Sequence, residues 1–474
     1  MSTSRRKSPN RISGAAVVIA IVVAFLYGWI STEKQLPPYS ILNRAYGWVR
    51  YQPRFHRAYL FLREHLTHEK HIPGRWRPIA TPTGADHLTE QQRDEIARLQ
   101  ALGYLSGSRP SRGLRGVTVY EPALAYRGTN LVTSGHAAEA YLMDMRGHVL
   151  HRWECDWQRA FPELGGFQSH ATDNPDNLEM WRRAYLYDNG DLLAIYHGFG
   201  MIKLNRDSEL IWARAGGFHH DMFVHPEGDI YALTREAKML PRIHPIKPTL
   251  EDYIEVFDPD GNALRKLSVL EVFERSRYAS FLASIPGHGD ILHTNTIEVL
   301  NGRHAGIVPA FERGNILISV RHTNVIAVVD MTEEKIVWAL SGQWQAQHEP
   351  AFLENGNILL FDNQGHFGMS KVIEIDPLTQ KIEWSYEGTA ESPFFSETCG
   401  ANQRLPNGNT LIIESDAGRA FEVTPDKRIV WEYYNPARAG DNNDLIATLY
   451  EVVRLDSTFG ATWLKNPGDT IPNY

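Results

Sequence analysis

The sequence predicts an all-β fold: a six-bladed β-propeller, preceded by a transmembrane helix and a short helical region. Three observations predict it. A short apolar strand led by a turn glycine recurs six times. A strand, polar turn and strand, usually closing on tryptophan, recurs six times behind it. An uncharged apolar run behind a cluster of basic residues opens the chain.

That run is "ISGAAVVIAIVVAFLYGWI", flanked by Arg5, Arg6, Lys7 and Arg11. About 17 to 19 apolar residues suffice to span a bilayer. No small-residue cleavage site follows, so a retained signal anchor is expected over residues 1–30. The basic flank stays in the cytoplasm, which puts the remainder on the extracytoplasmic, periplasmic side.

Residues 31–115 read as a linker and helical region. Prolines and glycines in "QLPPYS" and "HIPGRWRPIATPTG" break any long period. "RAYLFLREHL" fits a short helix. "LTEQQRDEIARLQALGYL" fits a better one, with Thr89 and Gln92 as a capping box, Ile96, Leu99 and Leu102 at helical spacing, and Gly103 as a stop.

Residues 116–474 hold the repeat. The first unit reads "RGTNLVTS", "NGDLLAIY", "EGDIYALT", "RGNILISV", "NGNILLFD" and "NGNTLIIE". Its turn glycines are Gly128, Gly190, Gly228, Gly314, Gly356 and Gly408. Their spacing, roughly 40 to 85 residues, fits four-stranded blades with uneven insertions. Trp153, Trp212, Trp338, Trp384 and Trp431 close the second unit, with Leu267 near that position in blade three. They are expected to fill the wedges between blades. "DLIATLYEVVRLDSTFGATWL" is left to complete a blade or wrap the ring.

Composition bounds the function. The 474 residues are 43% hydrophobic and 22% charged, with a net charge of -8. No long basic block is present, so nucleic acid is not an expected partner. Cys155 and Cys399 are the two cysteines, which excludes a disulfide scaffold and a cysteine zinc site. A single disulfide stays open if blades one and six meet at the ring closure.

Propellers gather binding groups at one mouth of the central channel. Eight residues before Gly356 stands His348, and eight before Gly228 stands His220, beside its rival His219. The same count gives Arg182 in blade two and Gly400 in blade six. In blade four an insertion breaks the count, and "HTNTIEVL" supplies His293 and Asn295. Seven residues after the turn glycines lie His197, Arg235, Arg321, Asn363 and Ser415. Each alone reads as a solvated strand end. Together they describe a cationic, histidine-rich mouth.

"HHD", "HTN", "SVRHTN", "QHEPAFLENGNILLFDN" and "GRAFEVTPDKRIVWEY" resemble the bacterial arylsulfate sulfotransferases and their wider relatives, over about residues 116–465. The resemblance implies a sulfuryl group moved from an aryl sulfate to a phenol through a sulfated histidine, with no nucleotide sulfate donor. It places the nucleophile on His348 and the supporting catalytic groups on His293, Arg321 and His220. Asn295, Asn363, Ser415, Arg235 and His219 are the expected substrate contacts, Ser415 being the hydroxyl of the last blade. No metal or cofactor is implied, and a homodimer is compatible. Two other classes stay open: a divalent ion held by His220, His293 and His348, making a lyase, hydrolase or oxygenase, and a propeller that binds a ligand without chemistry.

Overall fold

Apolar residues next to glycine turns, in runs of five to nine, leave these segments one way to bury both faces: stacked sheets. The computed structural model describes residues 88–100, 109–110, 113–164, 180–366, 369–389, 392–439, 443–459 and 463–464. The chain divides into two units, Met1–Pro78 and Ile79–Tyr474, and all described residues belong to the second. The proposed anchor and "RAYLFLREHL" lie outside the described residues, as does Gly103. Among the described residues no helix is long and apolar enough to cross a membrane. The second expected helix is present as Glu90–Gln100. Its capping box is made: the Gln92 amide N–H donates to Thr89 Oγ1 at 3.1 Å, and the Thr89 N–H to Gln92 Oε1 at 3.0 Å. It lies against the second and third strands of blade three.

Six antiparallel sheets follow one another around an axis. From inside outward, blade two is Trp181–Leu186, Leu192–Tyr196, Gly200–Leu204 and Leu210–Ala215. Blade three is Phe218–Val224, Ile230–Lys238, Thr249–Phe257 and Ala263–Ser268. Blade four is Thr294–Val299, Ile316–Val320, Val325–Asp330 and Lys335–Ser341. Blade five is His348–Phe352, Ile358–His366, Met369–Ile375 and Ile382–Glu387. Blade six is Ala401–Arg404, Thr410–Glu414, Arg419–Val423 and Ile429–Tyr434. The first strand of each blade touches the first strands of both neighbours, so these six line the channel.

The ring is closed by both ends of the domain. Leu449–Asp456 is the innermost strand of blade one, paired with Gly128–Ser134, while Gly116–Tyr120 adds a fifth, outermost strand to blade six. The C-terminal stretch therefore completes a blade. This corrects the reading of Gly128, which opens a second strand and belongs to no hairpin turn. A Cβ there would lie 2.0 Å from the Leu455 carbonyl oxygen, so close approach of the inner strand demands glycine. The other five turn glycines adopt φ of +86° to +108°, where a side chain is strained.

Four of the tryptophans work alike. Trp153, Trp212, Trp384 and Trp431 donate Nε1–H to backbone oxygens of the next blade, those of Gly190, Pro259, Pro425 and Met145. Each ring fills a wedge while its polar atom is satisfied. In blade four Trp338 packs edge-on against Phe311, which packs on Phe352 of blade five. Where blade three has Leu267, Arg265 reaches the Met331 carbonyl instead.

Below the mouth the channel is crossed by charge. Arg183 of blade two pairs with Asp221 of blade three at 2.6 Å, Glu349 of blade five at 2.6 Å and Glu451 of blade one at 2.5 Å. Losing the arginine would leave two buried carboxylates and the half-buried Glu349 without their cation, so the cluster locks the blades together. Burial and mutual repulsion already push Glu349 up to about 7. A cavity of about 280 Å³ lies further along the inner strands, lined by Arg183, Leu186, Phe223, Ile297, Pro350 and Val453 among others, and by none of the candidate histidines.

Candidate active site

The inner strands begin with irregularities that turn consecutive side chains towards the channel mouth. Register shifts occur between Trp181 and Arg183, Phe218 and Met222, Thr294 and Thr296, His348 and Ala351, and Leu449 and Glu451. A bulge bends a strand and re-aims its side chains. His220, His293 and Glu349 take left-handed backbones, with φ of 52°, 57° and 50°. Each such non-glycine residue costs on the order of 1–3 kcal/mol, a cost the surrounding ring must offset.

His348 is 3% exposed. Its Nδ1 lies 2.8 Å from Asn363 Oδ1 and 3.1 Å from the Ala346 carbonyl oxygen. The Asn363 amide has one workable orientation, because its Nδ2 donates to the carbonyls of Ser396 (2.9 Å) and Cys399 (2.5 Å). Oδ1 then faces His348 as an acceptor, so Nδ1 of His348 carries the proton and Nε2 keeps its lone pair. Burial, followed by the nearby Arg321 charge, holds this imidazole well below its ordinary range. The ring is neutral at neutral pH.

The backbone around His348 is fixed from three blades. The Asn295 amide donates to the Gln347 carbonyl at 2.8 Å. Gln347 itself donates to Ser319 Oγ and to the carbonyls of Val320 and Val325. Thr296 Oγ1 accepts from the Glu349 N–H at 3.0 Å, and Asn402 of blade six donates to the Glu349 carbonyl at 3.0 Å. The carboxylate after the histidine therefore anchors the bulge through Arg183, and the proline that follows needs no ladder hydrogen bond there.

The other imidazoles form a continuous chain of rings. His220 lies 5.0 Å from His197, 5.1 Å from His219 and 4.8 Å from His293, and His293 lies 4.9 Å from His322. His219 and His220 share a hydrogen bond between their Nδ1 atoms at 2.8 Å. Burial first, and neighbouring positive charge second, holds His197, His219 and His220 well below the ordinary range. Burial also holds His293 below the ordinary range, but Asp290 Oδ2, 2.6 Å from its Nδ1, works against that shift. The short strand Gly289–Asp290, paired with the start of Thr249–Phe257, places that carboxylate.

Arg321 follows the second strand of blade four, and its N–H donates to the His293 carbonyl at 3.2 Å. Among the described residues its guanidinium forms no ion pair, and it acts on His348 and His293 electrostatically. Arg235 is 1% exposed, beside Gly198 in blade two. Asn295 and Asn363 spend their amides on the protein. Ser415 is wholly buried, with Oγ accepting the Gly400 N–H at 3.0 Å. Of the strand-end groups His197, Arg235, Asn363 and Ser415 are buried and Arg321 is half-buried, where a solvated strand end would be exposed. Cys155 and Cys399 are both free thiols, so the two are not paired.

Two site residues fall outside the sequence-based set, Asp290 and His322, while Arg182 stood at its register position there without a role. His322 adjoins Arg321 in "SVRHTN", so its position carried the signal. Asp290 comes from a parallel bridge that no local pattern announces. Asp290, His293 and His322 offer ligand atoms within 4.8 Å of one another, a grouping suited to a divalent ion. That set differs from the His220, His293 and His348 trio expected for a metal.

The sequence profile described as arylsulfotransferase (ASST) matches residues 185–436, more than half of the chain. No curated protein sequence matches it. Among solved structures, a protein of unknown function from Bacteroides caccae is similar at 12% identity, over 69% of this chain and 98% of its own, with a TM-score of 0.45. A streptogramin B lyase is similar at 13% identity, over 74% and 96%, with a TM-score of 0.38. A virginiamycin B lyase from Staphylococcus aureus is similar at 12% identity, over 58% and 80%, with a TM-score of 0.33. With six blades, a ring of inner-strand histidines and a profile match across blades two to six, the chain belongs to the arylsulfotransferase family.

Proposed function

We propose that this protein transfers a sulfuryl group from an aryl sulfate ester to a phenol through a sulfated His348, on the extracytoplasmic side of a membrane to which residues 1–30 anchor it. The observation that carries the mechanism is the Asn363–His348 hydrogen bond of 2.8 Å, which reserves Nε2 for attack. Nε2 forms a bond to sulfur as the sulfur–aryl oxygen bond breaks, and its electron pair leaves on the phenolate. The acceptor hydroxyl then attacks sulfur, the sulfur–nitrogen bond returns its pair to Nε2, and the acceptor's proton balances the one taken up by the departing phenolate.

Charge in such a transfer spreads over three equatorial oxygens, much as in phosphoryl transfer. The planar fork of Arg321 suits two of them. Neutral His220 and His219 donate N–H hydrogen bonds but hold no surplus proton at neutral pH. His293, supported by Asp290, is the better proton carrier for the leaving oxygen. Asn295 acts by fixing the Gln347 carbonyl next to the nucleophile.

The test is a chromogenic aryl sulfate with no acceptor. About one phenol per chain should appear in a burst, with one sulfuryl mass added to the peptide containing His348. In His348→Asn, burst and adduct should both vanish while the fold survives; full activity in that variant would remove the mechanism. A metal-dependent reading draws support from the Asp290, His293 and His322 spacing. Loss of the burst on chelation, restored by a divalent ion, would favour it.

A further inference from the structure

We propose that Arg182, stacked on Tyr450, is a second guanidinium that binds the sulfuryl oxygens together with Arg321. This deepens the sulfuryl-transfer reading and rests on it.

Arg182 occupies the bulge that opens the inner strand of blade two, and Tyr450 the bulge that opens that of blade one. The guanidinium carbon lies 4.8 Å from the Tyr450 ring centre, and the Tyr450 hydroxyl donates to Met180 Sδ at 3.0 Å. Both residues are buried, Arg182 being 6% exposed. Its Nε is fully buried with no hydrogen-bond partner, and among the described residues the side chain forms no ion pair. The adjacent Arg183 shows the usual solution, three carboxylates around one cation. Arg182 has the aromatic face alone, which positions a guanidinium without neutralising it.

Its location says what would neutralise it. The positive charge of Arg182 bears on His348, His197, His220 and Cys399, groups of blades five, two, three and six around the mouth. The mouth thus holds Arg182, Arg235 and Arg321 against Asp252, Asp290 and Asp416, and burial pushes Asp252 up to about 7. A tetrahedral anion seated on His348 would meet cations from blades two and four. Two guanidinium forks match three equatorial oxygens better than one.

The experiment compares wild type, Arg182→Lys and Arg182→Gln by burst rate with an aryl sulfate and by thermal unfolding with and without inorganic sulfate. In Arg182→Gln the burst rate constant should fall by about 10² or more, and in Arg182→Lys by less. Without sulfate, Arg182→Gln should melt no lower than wild type, because an uncompensated buried charge has gone. Sulfate should raise the wild-type Tm and leave that of Arg182→Gln nearly unchanged. A Gln variant that bursts within twofold of wild type, that keeps the sulfate shift, or that melts well below wild type would overturn the proposal. A wild type that shows the sulfate shift, lost in Arg182→Gln, yet gives no burst would sink the sulfohistidine reading and leave the anion site standing.

Discussion

Asn363 Oδ1 lies 2.8 Å from His348 Nδ1, while the same amide's Nδ2 is held by the carbonyls of Ser396 and Cys399. One side chain of blade five thus links His348 to the loop that leads into blade six. Asn363→Leu should free the imidazole to turn and leave two buried carbonyls short of a donor. We expect sulfation of His348 to slow by about tenfold or more, and stability to fall by about 1–3 kcal/mol. Rapid-quench kinetics and urea unfolding measure the two effects; an unchanged sulfation rate would remove Asn363 from the mechanism.

Arg321→Lys keeps the charge at the mouth and loses the planar fork. Sulfation should still occur, with its rate lowered by about 10². The expected pattern is a burst of full size that rises slowly. A variant as fast as wild type would show that charge alone suffices there.

His322 gives a pH-dependent signature in stability. Burial, with His293 and Arg321 opposing charge and Asp290 partly favouring it, holds its imidazole down at about 3 against an ordinary 6.5. Unfolding therefore takes up a proton between those values. The contribution of the neutral buried ring is whole above pH 6.5 and is lost as the pH falls towards 3. Relative to His322→Gln, the wild type should lose up to about 1.4 kcal/mol for each pH unit in that window. Denaturant unfolding at pH 7 and pH 5 reads the difference, and a constant gap between the two proteins would contradict it.

We propose that Arg5, Arg6, Lys7 and Arg11 with the apolar run behind them attach the protein to a membrane. The protein should sediment with membranes after a high-salt wash, and protease added outside the cytoplasm should reach the propeller. A soluble mature form beginning after residue 30 would show that the segment is removed.

Six blades were legible in the chain because a turn glycine recurs in five of them and a closing tryptophan in five, and every blade carries at least one of the two. So were the strand ends that carry His348, His220 and Arg321, since register from the turn is fixed by a period of two residues, whereas His293 was read from its own segment because an insertion breaks the count in blade four. The closure of blade one by Leu449–Asp456 was decided by the ring as a whole: only when both ends meet does the last strand find Gly128–Ser134. The tertiary structure likewise decided what local patterns cannot express. The proton on His348 sits on Nδ1 because Asn363 is itself held by carbonyls from a loop 33 to 36 residues further along. Asp290 reaches His293 because a two-residue parallel bridge runs beside blade three. Arg182 was visible at its register position, but its lack of a partner was not. Whether a buried cation is compensated depends on every neighbouring blade, and in the folded ring the carboxylates converge on Arg183 instead.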